Sequence, residues 1–137
     1  MALISSKGIY GLTAMVELYK HNPLKPMQVK EISENTAISQ RYLEQLLNKL
    51  RKANLVQSIR GAKGGYLLAA DPHEILVKDI LIALEDGIKI VESKNQVPPL
   101  NVFFQETKQK IEKIFEINLA ELEEFQNRSS EYLHYHI

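Results

Sequence analysis

The chain has 137 residues, 45% apolar and 25% charged, with no cysteine and a formal net charge of zero. That is one globular domain's worth of chain with room for a short extension, which excludes disordered, collagen-like and low-complexity classes. The absence of cysteine excludes disulfides, thiol nucleophiles and thiolate-held zinc or iron–sulfur centres.

The zero charge hides an asymmetry. Residues 1–70 hold ten Lys/Arg against four Glu, net +6, and residues 71–137 hold seven against thirteen Asp/Glu, net −6. A basic half joined to an acidic half hints at nucleic-acid binding, although two faces of one domain attracting each other would give the same numbers. No apolar run approaches the ~18 residues of a membrane span. The opening residues lack a signal-peptide core, so a cytoplasmic protein with no membrane contact is expected.

In chain order, the first predicted helix runs from about Lys7 to His21. Ser6 is its cap, and Ile9, Leu12, Val16 and Tyr19 form one face. Asn22-Pro23 ends it. A short helix over Gln28–Asn35 and a tight turn at Thr36-Ala37-Ile38 follow. Ser39 then caps a third helix reaching about Ala53. Two helices joined by so short a turn outline a helix-turn-helix, without its usual turn glycine.

The third helix sets Leu43, Leu46, Leu47 and Leu50 on one stripe and Arg41, Glu44, Gln45, Asn48 and Lys52 opposite, flanked by Lys49 and Arg51. A solvated face would have this composition. So would a DNA-reading one, since cations and amides pair with guanine and adenine edges in a major groove. Two apolar runs, 55–60 and 66–69, enclose Gly61-Ala62-Lys63-Gly64-Gly65 and predict a β-hairpin. Its basic tip carries Arg60 and Lys63. Gly64 and its fellow glycines let the backbone approach a phosphate or enter a minor groove.

A short amphipathic helix over Ile75–Leu84 closes at Asp86-Gly87, and residues 92–99 have the composition of an exposed loop. Asn101 is expected to cap a longer helix with Phe103, Phe104, Thr107, Ile111, Ile114 and Phe115 on its apolar side. Asn118 with Glu121 predicts a capping box for a last short helix, and the chain ends in an aromatic tail. The aromatic helix must bury its face somewhere, either on its own domain or across a homodimer. The four histidines have no partners at recognisable ligand or catalytic spacing, so no enzyme, metal ion or cofactor is expected, although His134-x-His136 is a weak metal pattern.

The segments Ser6-Lys7-Gly8-x-Tyr10-Gly11-Leu12-Thr13, Tyr42-Leu43-Glu44-Gln45-Leu46, Leu50-Arg51-Lys52-Ala53-x-Leu55-Val56 and Ser58-x-Arg60-Gly61-Ala62-x-Gly64-Gly65-Tyr66-x-Leu68 together resemble the Rrf2 family of bacterial regulators. The resemblance implies a mainly α fold with a small β-hairpin. A winged helix-turn-helix domain over 1–86 would be followed by a linker over 87–100, then by a long dimerisation helix, a short helix and a tail over 101–137.

It also implies a homodimer on double-stranded DNA with a dyad-symmetric operator. Gln40, Arg41, Tyr42 and Glu44 would read bases, Arg60 would reach toward the minor groove, and Ser6 and Lys7 would lie near phosphates. Phe103, Phe104, Thr107, Ile111 and Ile114 would form the dimer. The alternative is a protein-interaction module whose groove face is unused.

The cluster-sensing branches hold iron–sulfur through three cysteines in the segment that here is Val91–Leu100, which has none. The resemblance is therefore to the cysteine-free branch, typified by a repressor of sulfur and cysteine metabolism. That branch takes its signal through cysteine synthase. Tyr135 and Ile137 would dock there, by capture of a C-terminal carboxylate with one apolar anchor.

Overall fold

Ser5, one residue before the expected cap, starts helix α1 (Ser6–Lys20) by accepting the Lys7 N–H on its hydroxyl. The computed structural model describes residues 2–91 and 98–136, the last seven by backbone alone. After α1 come α2 (Val29–Thr36), α3 (Gln40–Lys52), β1 (Val56–Ile59), β2 (Gly65–Leu68), a 3-10 turn (Pro72–Glu74), α4 (Val77–Glu85), α5 (Leu100–Ile114) and α6 (Leu119–His136).

Helix α2 is capped by Ala37, which stands in the left-handed region at φ 62° and returns its N–H to Ser33 O at 2.8 Å. That conformation usually falls to glycine, and it lets the Ser39 cap of α3 follow two residues later. Ser39 caps α3 as expected, accepting from Tyr42 N–H at 3.2 Å. Leu43, Leu46, Leu47 and Leu50 are all buried against Met15, Leu18, Ile32, Val56 and Leu84. Each such leucine contributes about 1.5–3 kcal/mol on burial, so this stripe fixes which side of α3 faces outward.

Strands β1 and β2 pair antiparallel, Val56 opposite Leu68 and Ile59 opposite Gly65. A third edge comes from the loop before α2, where Met27 and Tyr66 exchange both backbone hydrogen bonds at 2.9 Å. The hairpin is thereby anchored to the helix-turn-helix on two sides.

The C-terminal part differs from expectation in three ways. Helix α5 starts at Leu100 behind Pro99, not at an Asn101 cap, because proline suits a helix start and Asn101 already lies inside the first turn. The expected short helix plus tail is one 18-residue helix, longer than the 15-residue α5. The winged domain does not close at residue 86. Val77 N–H donates to Ile117 O, Lys78 N–H to Phe115 O and Leu119 N–H to Ile75 O, at 2.8–2.9 Å. Leu119 is fully buried in the main core, with Leu122 packed beside it. The predicted capping box forms reciprocally: Glu121 N–H donates to Asn118 Oδ1 at 2.8 Å, and Asn118 N–H to Glu121 Oε2 at 2.9 Å.

Helix α5 contributes no buried residue to this core. Leu100, Val102, Phe103 and Ile114 are each more than half exposed. Phe104, Thr107 and Ile111 are half-buried, with Phe104 edge-on to Phe103 at 5.4 Å.

Candidate nucleic-acid interface

The outer side of α3 is set by its buried leucines. Gln40, Arg41, Glu44, Gln45, Asn48, Arg51 and Lys52 are all exposed, and Ser39 stands exposed at the cap. Arg51 Nη2 donates to Asn48 Oδ1 at 2.7 Å, so these two side chains present one joined donor surface. Glu44 is the sole carboxylate on this face of α3. There it can accept from a cytosine amine and repel phosphate, narrowing the acceptable sequences.

Tyr42 is half-buried and meets Tyr10 of α1 edge to face, with ring centroids 5.7 Å apart and planes at 89°. An aromatic pair in this geometry is worth about 0.5–1.5 kcal/mol beyond its area. Tyr10 therefore holds Tyr42 at the rim of the polar face. Sequence reasoning did not single out Tyr10 for this, because nothing in local spacing shows a contact across 32 positions.

The hairpin places Arg60 and Lys63 exposed at its tip. Gly64 is buried, and a Cβ there would collide with the Ile59 carbonyl oxygen. Its N–H donates to Gly61 O at 3.0 Å, so it shapes the turn beneath the basic side chains and offers no surface of its own. Gln28, also unnoticed in the sequence, donates from Nε2 to Ala62 O at 3.3 Å and ties the tip to the start of α2.

Ser6 and Lys7 are exposed in the first turn of α1. The anion at that helix start is internal: Glu85 Oε1 accepts from Ser5 and from Gly8 N–H. A nucleic-acid phosphate there would meet Lys7 beside an N-terminus already served by a carboxylate. Ile137 lies outside the described residues, and of Tyr135 only the helical backbone is described.

The family model described as "Rrf2: Iron-dependent Transcriptional regulator" matches residues 4–129. The HTH-type transcriptional regulator CymR of Bacillus subtilis is 49% identical over 89 residues, covering 65% of this chain and 64% of that protein. The HTH-type transcriptional regulator IscR of Vibrio campbellii is 45% identical over 85 residues, covering 62% of this chain but only 51% of the relative. The matched stretches thus span between half and two thirds of these relatives. The solved structure of B. subtilis CymR, described as the global cysteine regulator, superposes with a TM-score of 0.79 at 38% identity, covering 91% of this chain and 98% of that one.

Iron dependence, in the family's description, can be set against the donors present. The chain has no cysteine. Among the described residues, no group of three or more His, Asp or Glu side chains comes together that could hold a metal ion. The donor set does not fit a thiolate-held iron centre. Among the described residues no helix is long and apolar enough to cross a membrane. With the fold, the helix-turn-helix register and the family model in agreement over most of its length, the chain belongs to the Rrf2 family of transcriptional regulators.

Proposed function

We propose that this chain is a DNA-binding repressor acting as a homodimer on a dyad-symmetric operator, with α3 in the major groove and the hairpin tip at the adjacent minor groove. One observation carries this reading: α3 exposes an unbroken polar face of Gln40, Arg41, Glu44, Gln45 and Asn48, with Arg60 and Lys63 exposed on the hairpin that follows. Cations and amides on that face match guanine and adenine edges, and a basic tip suits a narrow minor groove. Ser39, Arg51, Lys52 and Lys7 serve as phosphate contacts.

The dimer is made by α5, whose apolar residues Phe103 and Ile114 are 59% and 70% exposed in the single chain. Phe104, Thr107 and Ile111 complete its stripe. The regulated genes belong to sulfur and cysteine metabolism, a reading supported by the likeness to CymR and by the absence of cluster-ligating cysteines. Within it, cysteine synthase is the signalling partner, docking Tyr135 and Ile137.

Selection of bound sequences from random duplex DNA, followed by titration of the selected site at several salt concentrations, tests the operator reading. A dyad sequence and a log–log slope of about −0.9 per phosphate contacted are expected. No enrichment, or binding indifferent to salt, leaves the interaction-module alternative. Binding to cysteine synthase of the chain with and without Ile137 tests the partner: equal affinity for the two excludes docking through that residue.

A further inference from the structure

Between the end of α1 and β2 lies a cavity of about 250 Å³, just below the size of sites that hold drug-like molecules. Its apolar lining includes Leu18, Leu67 and Leu68, and its polar lining includes Tyr66, Lys25 and Asp71. Among the described residues, no hydrogen bond or ion pair engages the Lys25 ammonium. Asp71 Oδ1 accepts from His73 N–H at 2.8 Å and also meets the His73 ring Nδ1 at 2.8 Å, and these contacts, the backbone one first, hold the carboxyl below its ordinary value. Its second oxygen takes no part in these contacts. The other ionisable lining groups are Tyr19 and His21, the latter 3.9 Å from Glu31. The cavity lining thus brings one ammonium, that of Lys25, and one carboxylate, that of Asp71 with its Oδ2 outside the His73 contacts, together with leucine side chains.

The surrounding connections link this cavity to the hairpin. Tyr66 lines it and exchanges both backbone hydrogen bonds with Met27. Lys25 lies two residues before Met27, and Gln28, next along, holds the hairpin tip through Ala62 O. A molecule wedged between the 22–25 loop and β2 would shift the strand that carries Arg60 and Lys63.

We propose that this cavity binds a small α-amino acid with an apolar side chain, its carboxylate on Lys25 and its ammonium on Asp71, and that occupancy sets the stance of the hairpin tip. The coupling to DNA rests on the operator-binding reading above; the binding site does not. An amino acid smaller than a drug-sized ligand satisfies the volume, both charges and the leucine floor at once.

Calorimetric titration of the full chain tests this with L-valine, L-leucine, L-methionine and L-phenylalanine, each up to about 10 mM so that a millimolar Kd is visible. Isocaproate and isoamylamine, which each carry one of leucine's two charges, serve as controls. At least one amino acid should bind once per chain. Lys25→Met and Asp71→Asn should each weaken it about tenfold or more, as loss of a charge-assisted contact does. Asp71→Asn keeps the oxygen that accepts His73 N–H, so the turn survives. The bound amino acid should also change affinity for the selected operator in the parent but not in Arg60→Ala. No heat from any of the four amino acids, or binding indifferent to both substitutions, overturns the site. Binding without any effect on operator affinity overturns the coupling and leaves the site standing. Failure of the parent to bind DNA at all, with the amino acid still bound, counts against the operator reading alone.

Discussion

Glu85 Oε1, at the end of α4, accepts both the N–H and the hydroxyl of Ser5 at 2.8 Å and the Gly8 N–H at 3.2 Å. Eighty positions apart in sequence, these residues lock the start of the first helix to the end of the fourth. Three donors on one carboxylate oxygen make a charge-assisted cap. Glu85→Ala should lower stability by about 1.5–3 kcal/mol, while Glu85→Gln, which keeps an acceptor, should cost less. Gly8→Ala should be as damaging, because the new Cβ would sit 2.6 Å from that same oxygen and from Ile4 Cγ2. Urea denaturation measures all three, and an unchanged midpoint in Glu85→Ala would contradict the cap.

Ala37 holds the turn between the two helices of the DNA-binding motif at φ 62°. The left-handed region costs a residue with a Cβ about 1–2 kcal/mol, and glycine's greater freedom when unfolded offsets part of the relief. Ala37→Gly is therefore expected to raise stability by about 0.5–1 kcal/mol without altering operator preference. Denaturation and operator titration on the same protein check both halves.

Arg41→Ala should cost about 1–3 kcal/mol at the selected operator and relax preference at one position of each half-site. Arg60→Ala should weaken binding most where the minor groove is narrow, so its penalty should be larger on duplexes with an A-tract beside the half-site than on duplexes without one. Anisotropy titrations on matched duplexes separate the two effects. Equal losses on every sequence would demote both side chains to phosphate contacts.

Because Phe103 and Ile114 are more than half exposed and no α5 residue is fully buried in its own chain, Phe103→Lys with Ile114→Lys should leave a folded protein that sediments as a monomer and binds the full operator weakly. A dimer that persists in this variant would place the interface elsewhere.

Helix α3 was legible in the sequence because Leu43, Leu46, Leu47 and Leu50 recur at helical spacing and leave only one side for polar groups. The hairpin was legible from its glycines, and the Asn118–Glu121 box from a local pattern of four residues. What escaped detection was non-local or conformationally neutral. Glu85 and Ser5, Tyr10 and Tyr42, and Gln28 and Ala62 meet only in the fold. The polar run Gln126–Ser129 has the composition of a tail, yet it continues α6, since exposed Gln, Asn, Arg and Ser cost a helix only tenths of a kcal/mol each. Gly64 carried a misleading signal: glycine suggested close approach by a ligand, and the close approach is to the chain's own Ile59.

The stitch between residues 75–78 and 115–119 makes α5 a lever arm with a clamped base. Its joint with the body is an antiparallel bridge at Leu76–Asn118, held by the three backbone hydrogen bonds described above and by the Lys78–Glu116 pair at 3.2 Å. In the proposed dimer, a rotation imposed on the arm by the second copy would pass into α4, and through Glu85 into α1. The distance between two reading heads would then be a machined dimension of the molecule. One residue inserted between Ile114 and Asn118 should change the preferred spacing of half-sites while leaving the affinity for a single half-site intact.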